Sequence, residues 1–172
     1  GRSKAIALAS GALALLAFAD QPAAQADSPL AACAALTAAA ADAAAENPST
    51  IQVTVENVRN SKGLITAVLY SDDPKTFLKR GARLDRIRVE AKKGKTVLCL
   101  TAPAAGRYSV ALYHDENGNK EFDRDFLGIP TEGYGFSQNP GFRFGKPDIE
   151  ETLFTINGNP TELRISILYL QG

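Results

Sequence analysis

From about residue 51 onward, apolar and polar residues tend to alternate, which is the pattern of β-strands that bury one face. Polar turns containing Gly, Asn, Lys or Pro separate the alternating segments. Short strands at this spacing are typical of a β-sandwich, so we predict an all-β domain over residues 49–172, immunoglobulin-like or transthyretin-like. Seven strands are predicted: Ile51–Val55, Gly63–Tyr70, Arg86–Glu90, Thr96–Leu100, Arg107–His114, Glu151–Ile156 and Glu162–Tyr169.

The segments between these strands carry local predictions of their own. Lys92–Lys95 and Asn157–Pro160 are short polar turns, so we expect each to close a hairpin between its two flanking strands. An Asp-Pro pair predicts a short helical turn over Lys75–Arg80, because Asp caps helices and Pro fits the first helical position. A Gly-x-Tyr sequence ending at Tyr108 predicts a tyrosine corner, in which the hydroxyl bonds to backbone upstream.

The N-terminal part of the chain has a different pattern. Basic residues precede an apolar run, Ala5–Ala19, which is followed by an Ala-x-Ala sequence ending at Ala26. This order predicts a signal peptide over residues 1–26, cleaved after Ala26, and the run is too short for a transmembrane helix. Residues 27–48 are rich in alanine, the best helix former, and predict either a helix or a linker.

Two cysteines, Cys33 and Cys99, lie outside the predicted signal peptide. Disulfides persist in exported proteins, so a bridge between the two is one interpretation. The alternative is lipidation of Cys33, because Leu30-Ala-Ala-Cys33 resembles a lipobox. A lipobox directly ends the apolar run, whereas polar residues intervene here, so we favour a protein without a lipid anchor.

The charge of the chain is balanced, with 19 basic and 19 acidic residues, and this gives no drive toward nucleic acid. Residues 75–95 are an exception, with nine basic residues against Asp85 and Glu90. Cations on an edge strand discourage sheet-to-sheet aggregation, which is the interpretation we favour. A weak contact of this segment with an anionic lipid or polysaccharide surface is the alternative.

The connection from Asp115 to Asp148 is unusually long, and long loops in compact domains are usually functional or disordered. Disordered segments contain few aromatic residues. This connection contains six: Phe122, Phe126, Tyr134, Phe136, Phe142 and Phe144. We therefore predict an ordered loop that packs over one end of the sandwich. Its expected ligand or partner surface consists of His114, Tyr134, Phe136, Phe142 and Phe144.

At the start of this connection, the sequence HDENGNKEFD places oxygen-bearing side chains at alternate positions. Calcium prefers such hard ligands, and alternate positions of a tight loop can point inward together. The sequence therefore predicts a calcium site with six candidate ligands: Asp115, Asn117, Asn119, Glu121, Asp123 and Asp125. The alternative is a type I′ hairpin on Asn117-Gly118. The pattern departs from an EF-hand, because position 12 is Phe126 instead of a glutamate.

The run HDENGNKEFDRDFLGIPTEGYGFSQNPGFRFG resembles the signature of a secreted bacterial family, domain-of-unknown-function family 2141. The resemblance extends over about residues 51–170 and includes VTVENVRNSKG at Val53–Gly63 and AAGRYSVALY at Ala104–Tyr113. It implies an exported, β-rich domain, secreted or periplasmic in bacteria. It implies no activity.

These observations together predict a non-catalytic binding or accessory module of the bacterial envelope, stabilised by calcium, whose partner is an envelope protein or a small ligand. One alternative is an envelope hydrolase that uses His114 with loop carboxylates. It is less favoured because no serine stands in a Gly-x-Ser-x-Gly elbow, and no catalytic residue is assigned. A second alternative is a structural assembly subunit held by the aromatic loop.

Overall fold

A computed structural model describes Cys33, residues 49–157 and residues 161–171. Within these residues the chain forms eight strands in two sheets, which confirms the predicted all-β sandwich. The strands are β1 (Ser49–Val58), β2 (Leu64–Ser71), β3 (Arg83–Glu90), β4 (Gly94–Ala102), β5 (Gly106–Asp115), β6 (Gly133–Phe136), β7 (Phe154–Ile156) and β8 (Thr161–Ser166). Two short 3-10 helices cover Arg80–Ala82 and Ile149–Glu151.

The first sheet has the strand order β4-β1-β8, and the second sheet has the order β3-β2-β5-β6, with β7 also paired to β5. Strand β1 is antiparallel to β4 and parallel to β8. Strands β3 and β4 therefore lie in different sheets, as do β7 and β8, so both predicted hairpins are wrong. The Ala91 N–H bonds to the Gly63 carbonyl (3.1 Å), which keeps the end of β3 on β2 while the chain crosses to β4.

The main core lies between the sheets and follows the predicted alternation. On β1, Ile51, Val53 and Val55 are fully buried, and they face inward residues such as Leu69 and Val110 of the second sheet. Burying each of these side chains contributes about 1.5–3 kcal/mol relative to exposing it. Alternation was therefore a reliable guide to which residues form this core.

A second, smaller core lies on the outer face of the second sheet. Val68 and Tyr70 of β2 point outward, yet they are buried against Phe77 and Ile149. Because both faces of β2 are covered, six consecutive residues of this strand are buried, and its sequence shows a nearly continuous apolar run. The covering segments are residues 72–80 and the chain that leads into Ile149.

The predicted helical turn over Lys75–Arg80 is correct only at its start. Asp73 accepts a hydrogen bond from the Lys75 N–H (2.9 Å), as a cap would, and the Phe77 N–H bonds to the Asp73 carbonyl (3.1 Å), which closes one helical turn. The turn ends there, because Leu78 has a φ of +64°, which no right-handed helix allows. The helical residues come only afterwards, as the 3-10 helix Arg80–Ala82.

The long connection after β5 contains a strand that the sequence analysis did not predict. Strand β6 pairs antiparallel with β5 at the edge of the second sheet. Ser137 then bonds to both backbone groups of Val110, and the chain continues onto the outer face of that sheet. The prediction of a loop confined to one end of the sandwich is therefore wrong.

The predicted tyrosine corner is confirmed, and of the two interpretations of the cysteines the structure has the disulfide. The Tyr108 hydroxyl donates a hydrogen bond to the Ala104 carbonyl (2.9 Å), which is the predicted tyrosine corner. Cys33 and Cys99 form a disulfide with their Cα atoms 5.5 Å apart, so the thiol that lipidation would use is occupied. The predicted signal peptide and the alanine-rich segment, apart from Cys33, lie outside the described residues.

Strand β3, which carries much of the basic segment 75–95, is an edge strand of the second sheet. This position agrees with a role of the cations in protecting the edge from aggregation. In the portion of the chain that the structure describes, no helix has the length and apolar character needed to cross a membrane.

Candidate functional site

His114 is fully buried, and both of its ring nitrogens are hydrogen-bonded within the protein. Nε2 lies 2.8 Å from the Lys62 carbonyl, which can only accept, so Nε2 carries the proton. In the neutral imidazole, Nδ1 then accepts from the Tyr169 hydroxyl (2.7 Å), and the Tyr169 oxygen accepts from the Arg59 N–H (3.1 Å). His114 ties the end of β5 to the turn before β2 and to the C-terminal segment. Because it is fully buried, it does not contribute to the ligand surface that the sequence predicted for it.

Arg59 also forms an ion pair that anchors the start of the long connection. Its Nε donates to Glu116 Oε1 (2.9 Å), its Nη2 donates to Glu116 Oε2, and the Asn60 amide donates to the same carboxylate. The Arg59 guanidinium lies 4.5 Å from the centre of the Tyr169 ring. Its hydrogen bonds lower the pKa of Glu116 to about 2, although burial acts in the opposite direction.

We expect Glu116→Gln to lower the free energy of unfolding by about 2 kcal/mol at pH 7. The folded-state pKa lies below the ordinary value of 4.5, so this stability is present above about pH 4.5. It is lost as the pH falls toward 2. Urea unfolding at pH 7 and pH 3 without added calcium is the measurement. The exposed Glu162→Gln is the matched control, and an equal loss at both pH values for Glu116→Gln would contradict the prediction.

The structure brings together four of the six predicted calcium ligands. The Asp115 carboxylate is buried and accepts from the backbone N–H groups of Asn119 (3.1 Å) and Lys120 (2.8 Å). The side-chain amides of Asn117 and Asn119 both donate to Asp123, at 2.6 and 2.9 Å. Asp115, Asn117, Asn119 and Asp123 thus form one hydrogen-bonded cluster.

The other two predicted ligands lie apart from this cluster. Glu121 is exposed and faces Arg80 at 3.7 Å. One Asp125 oxygen accepts from the backbone N–H groups of Leu127 and Ile129, so Asp125 stabilises the next turn of the chain. The alternating spacing therefore predicts the cluster correctly up to Asp123, except for Glu121. It fails at Asp125, where a second turn begins.

The type I′ hairpin on Asn117-Gly118 is wrong. That turn needs positive φ at both central residues, whereas only Gly118 has it, at +72°. A further positive φ at Lys120 continues the loop beyond a two-residue turn. The strand that pairs with β5 comes later, as β6.

Glu132 is a member of this region that the sequence analysis missed. It is 5% exposed, its Oε2 accepts from the Asp123 N–H (3.1 Å), and its Oε1 is buried without a hydrogen-bond partner in the described chain. Burial raises the pKa of Glu132 to about 7, and the neighbouring carboxylates of Asp123 and Asp115 raise it further, against the lowering by backbone hydrogen bonds. A short stretch of sequence could not reveal this residue, because β6 brings it back to the loop from nine positions beyond Asp123.

The oxygen atoms that could hold a metal ion are those of the Asp115, Asp123 and Glu132 carboxylates and of the Asn117 and Asn119 amides. Within the described ranges, no group of three or more His, Cys, Asp or Glu side chains is placed so that it could hold a metal ion. Each carboxylate oxygen of Asp115 keeps a lone pair beyond its one N–H bond, and Glu132 Oε1 keeps both. Carboxylate and amide oxygens are the ligands that a hard cation such as calcium prefers.

The second candidate site is a groove of about 660 Å³ on the outer face of the second sheet. Its floor includes Val68 and Tyr70, and four of the five residues of the expected ligand surface border it: Tyr134, Phe136, Phe142 and Phe144. His114 does not. The volume is that of a typical site for a small molecule.

The aromatic side chains around the groove differ in exposure. Phe136 packs against Phe77 below, with ring centres 6.2 Å apart, and burial raises the pKa of Tyr134. Phe142 and Phe144 contact each other edge to face (5.4 Å) and are 53% and 91% exposed. The groove therefore has a packed floor and an accessible aromatic rim.

Comparison with known families identifies one match. The model of a family described as uncharacterised proteins conserved in bacteria (DUF2141) matches residues 53–164. This range runs from β1 into β8 and includes the loop cluster and all of the residues that border the groove except Leu170. Neither the curated proteins nor the solved structures contain a match to this chain. The matched range covers well over half of the sequence, and the chain therefore belongs to the DUF2141 family.

Proposed function

We propose that this protein is an exported, non-catalytic binding module of the bacterial envelope, with a calcium-stabilised loop and a ligand site in the groove. The groove carries this proposal, because it combines a volume suited to a small ligand with an exposed aromatic rim. The predicted signal peptide and the Cys33–Cys99 disulfide support export, since disulfides persist in oxidising compartments.

The hydrolase alternative has less support. A general base needs a free ring nitrogen within reach of a nucleophile. His114 is 0% exposed, and both of its nitrogens are engaged, one with a backbone carbonyl and one with Tyr169.

The calcium part of the proposal rests on Glu132. A buried carboxylate oxygen without a hydrogen-bond partner is costly, and the nearby carboxylates of Asp115 and Asp123 add repulsion. A divalent cation bound beside Glu132 would offset both costs at once. The oxygen of Asn117 or Asn119 and a backbone carbonyl would complete a set of hard ligands.

We expect 1 mM calcium to raise the melting temperature by about 3–6 °C relative to EDTA. A dissociation constant near 10⁻⁴ M, common for extracellular calcium modules, gives about 1.4 kcal/mol of stabilisation. Magnesium should give a smaller shift, because it demands tighter geometry and keeps its water. Identical melting temperatures in calcium and in EDTA would contradict the calcium proposal.

Glu132→Gln distinguishes a metal ligand from a purely structural residue. In EDTA this variant should be at least as stable as the wild type, because it removes an uncompensated buried charge. In calcium it should be less stable than the wild type, because it loses the calcium-dependent rise in melting temperature. Glu121→Gln changes an exposed residue outside the cluster, so it should keep the calcium-dependent rise in melting temperature and serves as the matched control.

A further inference from the structure

Basic side chains are concentrated around the groove on the second sheet. Arg83, Arg124, Arg143 and Lys146 all border it, and none of its other bordering residues in the described chain is acidic. The chain as a whole has equal numbers of acidic and basic residues, so this composition belongs to the groove and not to the protein in general. A concave site lined by one sign of charge concentrates ligands of the opposite sign.

Most of these cations lack a carboxylate partner. Arg143 pairs with Glu151 (2.5 Å), whereas no carboxylate of the described residues lies within 4 Å of Arg83, Arg124 or Lys146. Nε of Arg83 is in addition buried without a hydrogen-bond acceptor. A buried, unpaired donor on a charged group is unfavourable, and an anion placed beside it would remove that cost.

The rest of the groove is apolar. Val68, Tyr70 and Phe136 line its inner part, and Phe142 and Phe144 form the rim. Nothing in this part offers charge to a ligand, so an inorganic anion alone would leave the apolar surface uncovered. Apolar side chains with a few charged groups among them are suited to a molecule that has an apolar body and an ionised head.

The geometry points to an amphipathic anion as the ligand of this groove, with its apolar body against Val68, Tyr70 and the aromatic rim and its oxyanion head on Arg83 and Lys146. This inference rests on the proposed function, since it takes the groove to be the ligand site, and it adds the chemical class of the ligand. The site is concave, which favours a free molecule such as a fatty acid over a flat membrane surface.

Three probes with the same ten-carbon tail test this inference in the full folded protein: decanoate, 1-decanol and decylammonium. Isothermal titration should show decanoate binding at least about 10-fold more tightly than the other two, with an affinity that falls as salt is added. Lys146→Gln, at an exposed position, should weaken the binding of decanoate about 3- to 10-fold and leave the binding of decanol unchanged. Lys95→Gln makes the same charge change on an exposed residue outside the groove and should have no effect.

The outcomes separate this inference from the proposed function. Equal affinity for all three probes would overturn the anionic class while leaving the groove as a ligand site. Binding of none of them would overturn the inference, and the calcium melts would still test the other part of the proposed function on their own. Binding to vesicles containing phosphatidylglycerol without binding of decanoate would show a surface contact instead of a ligand site, and would also overturn it.

Discussion

Replacing Cys33 and Cys99 together by serine is expected to lower the free energy of unfolding by about 4 kcal/mol. The disulfide links residues 66 positions apart, and a cross-link over that separation removes a large part of the conformational entropy of the unfolded chain. Its loss should therefore exceed the effect of any surface substitution, because such substitutions usually stay within about 0.5 kcal/mol.

Urea unfolding of the double variant and of the wild type, with and without reductant, measures this effect. The reduced wild type should unfold at the same urea concentration as the double serine variant, which controls for the substitutions themselves. Two free thiols in denatured, unreduced protein would contradict the bridge, and so would equal stability of the oxidised and reduced forms.

Gly63→Ala is expected to lower the free energy of unfolding by about 3 kcal/mol. A Cβ atom at this position would lie 1.9 Å from the backbone oxygen of Asp115, and the backbone has a φ of +64°. Backbone cannot move aside as a flexible side chain can, so the overlap adds to the strain of a left-handed residue. Because Asp115 would have to shift, the calcium-dependent rise in melting temperature should also decrease.

Gly94→Ala separates these two contributions. Its φ is +84°, yet no atom lies within 4 Å of the Cβ position. We expect a loss of about 1 kcal/mol there, which is the cost of the left-handed conformation alone. Equal losses for the two variants, measured by urea unfolding, would show that the close approach of Gly63 to Asp115 is unimportant.

Features with a local cause could be predicted from the sequence. Seven of the eight strands in the described residues were predicted, most of them by alternation, because a strand that buries one face repeats every two residues. The tyrosine corner at Tyr108 joins residues only four positions apart. The cluster of Asp115, Asn117, Asn119 and Asp123 was also accessible, because nine consecutive residues contain all four side chains.

Features with a distant cause could not be predicted. A polar turn such as Lys92–Lys95 is compatible with a hairpin or with a crossing between sheets, and only the positions of the other strands decide between them. Strand β6 was missed because Gly133 and Gly135 replace its alternating side chains. A Cβ at Gly133 would lie 2.2 Å from the Tyr169 ring, so the glycine is required by a residue 36 positions away.

The same limit applies to the candidate sites. Glu132 and the groove depend on where β6 and the chain leading into Ile149 return to the sandwich. His114 was assigned to the ligand surface because its position at a strand end is next to the aromatic loop in sequence. In the fold its ring points to Tyr169 and away from the groove.

The parallel pairing of β8 with β1 has a consequence for how the chain is made. Ile51 is opposite Thr161, so one edge of β1 stays open until a segment 110 positions later in the chain has been synthesised. Contacts between such distant parts of a chain slow folding, and the open apolar strand is prone to aggregation in the meantime. The first sheet is therefore complete only after β8 has been made, and the chain stays without its full fold until then.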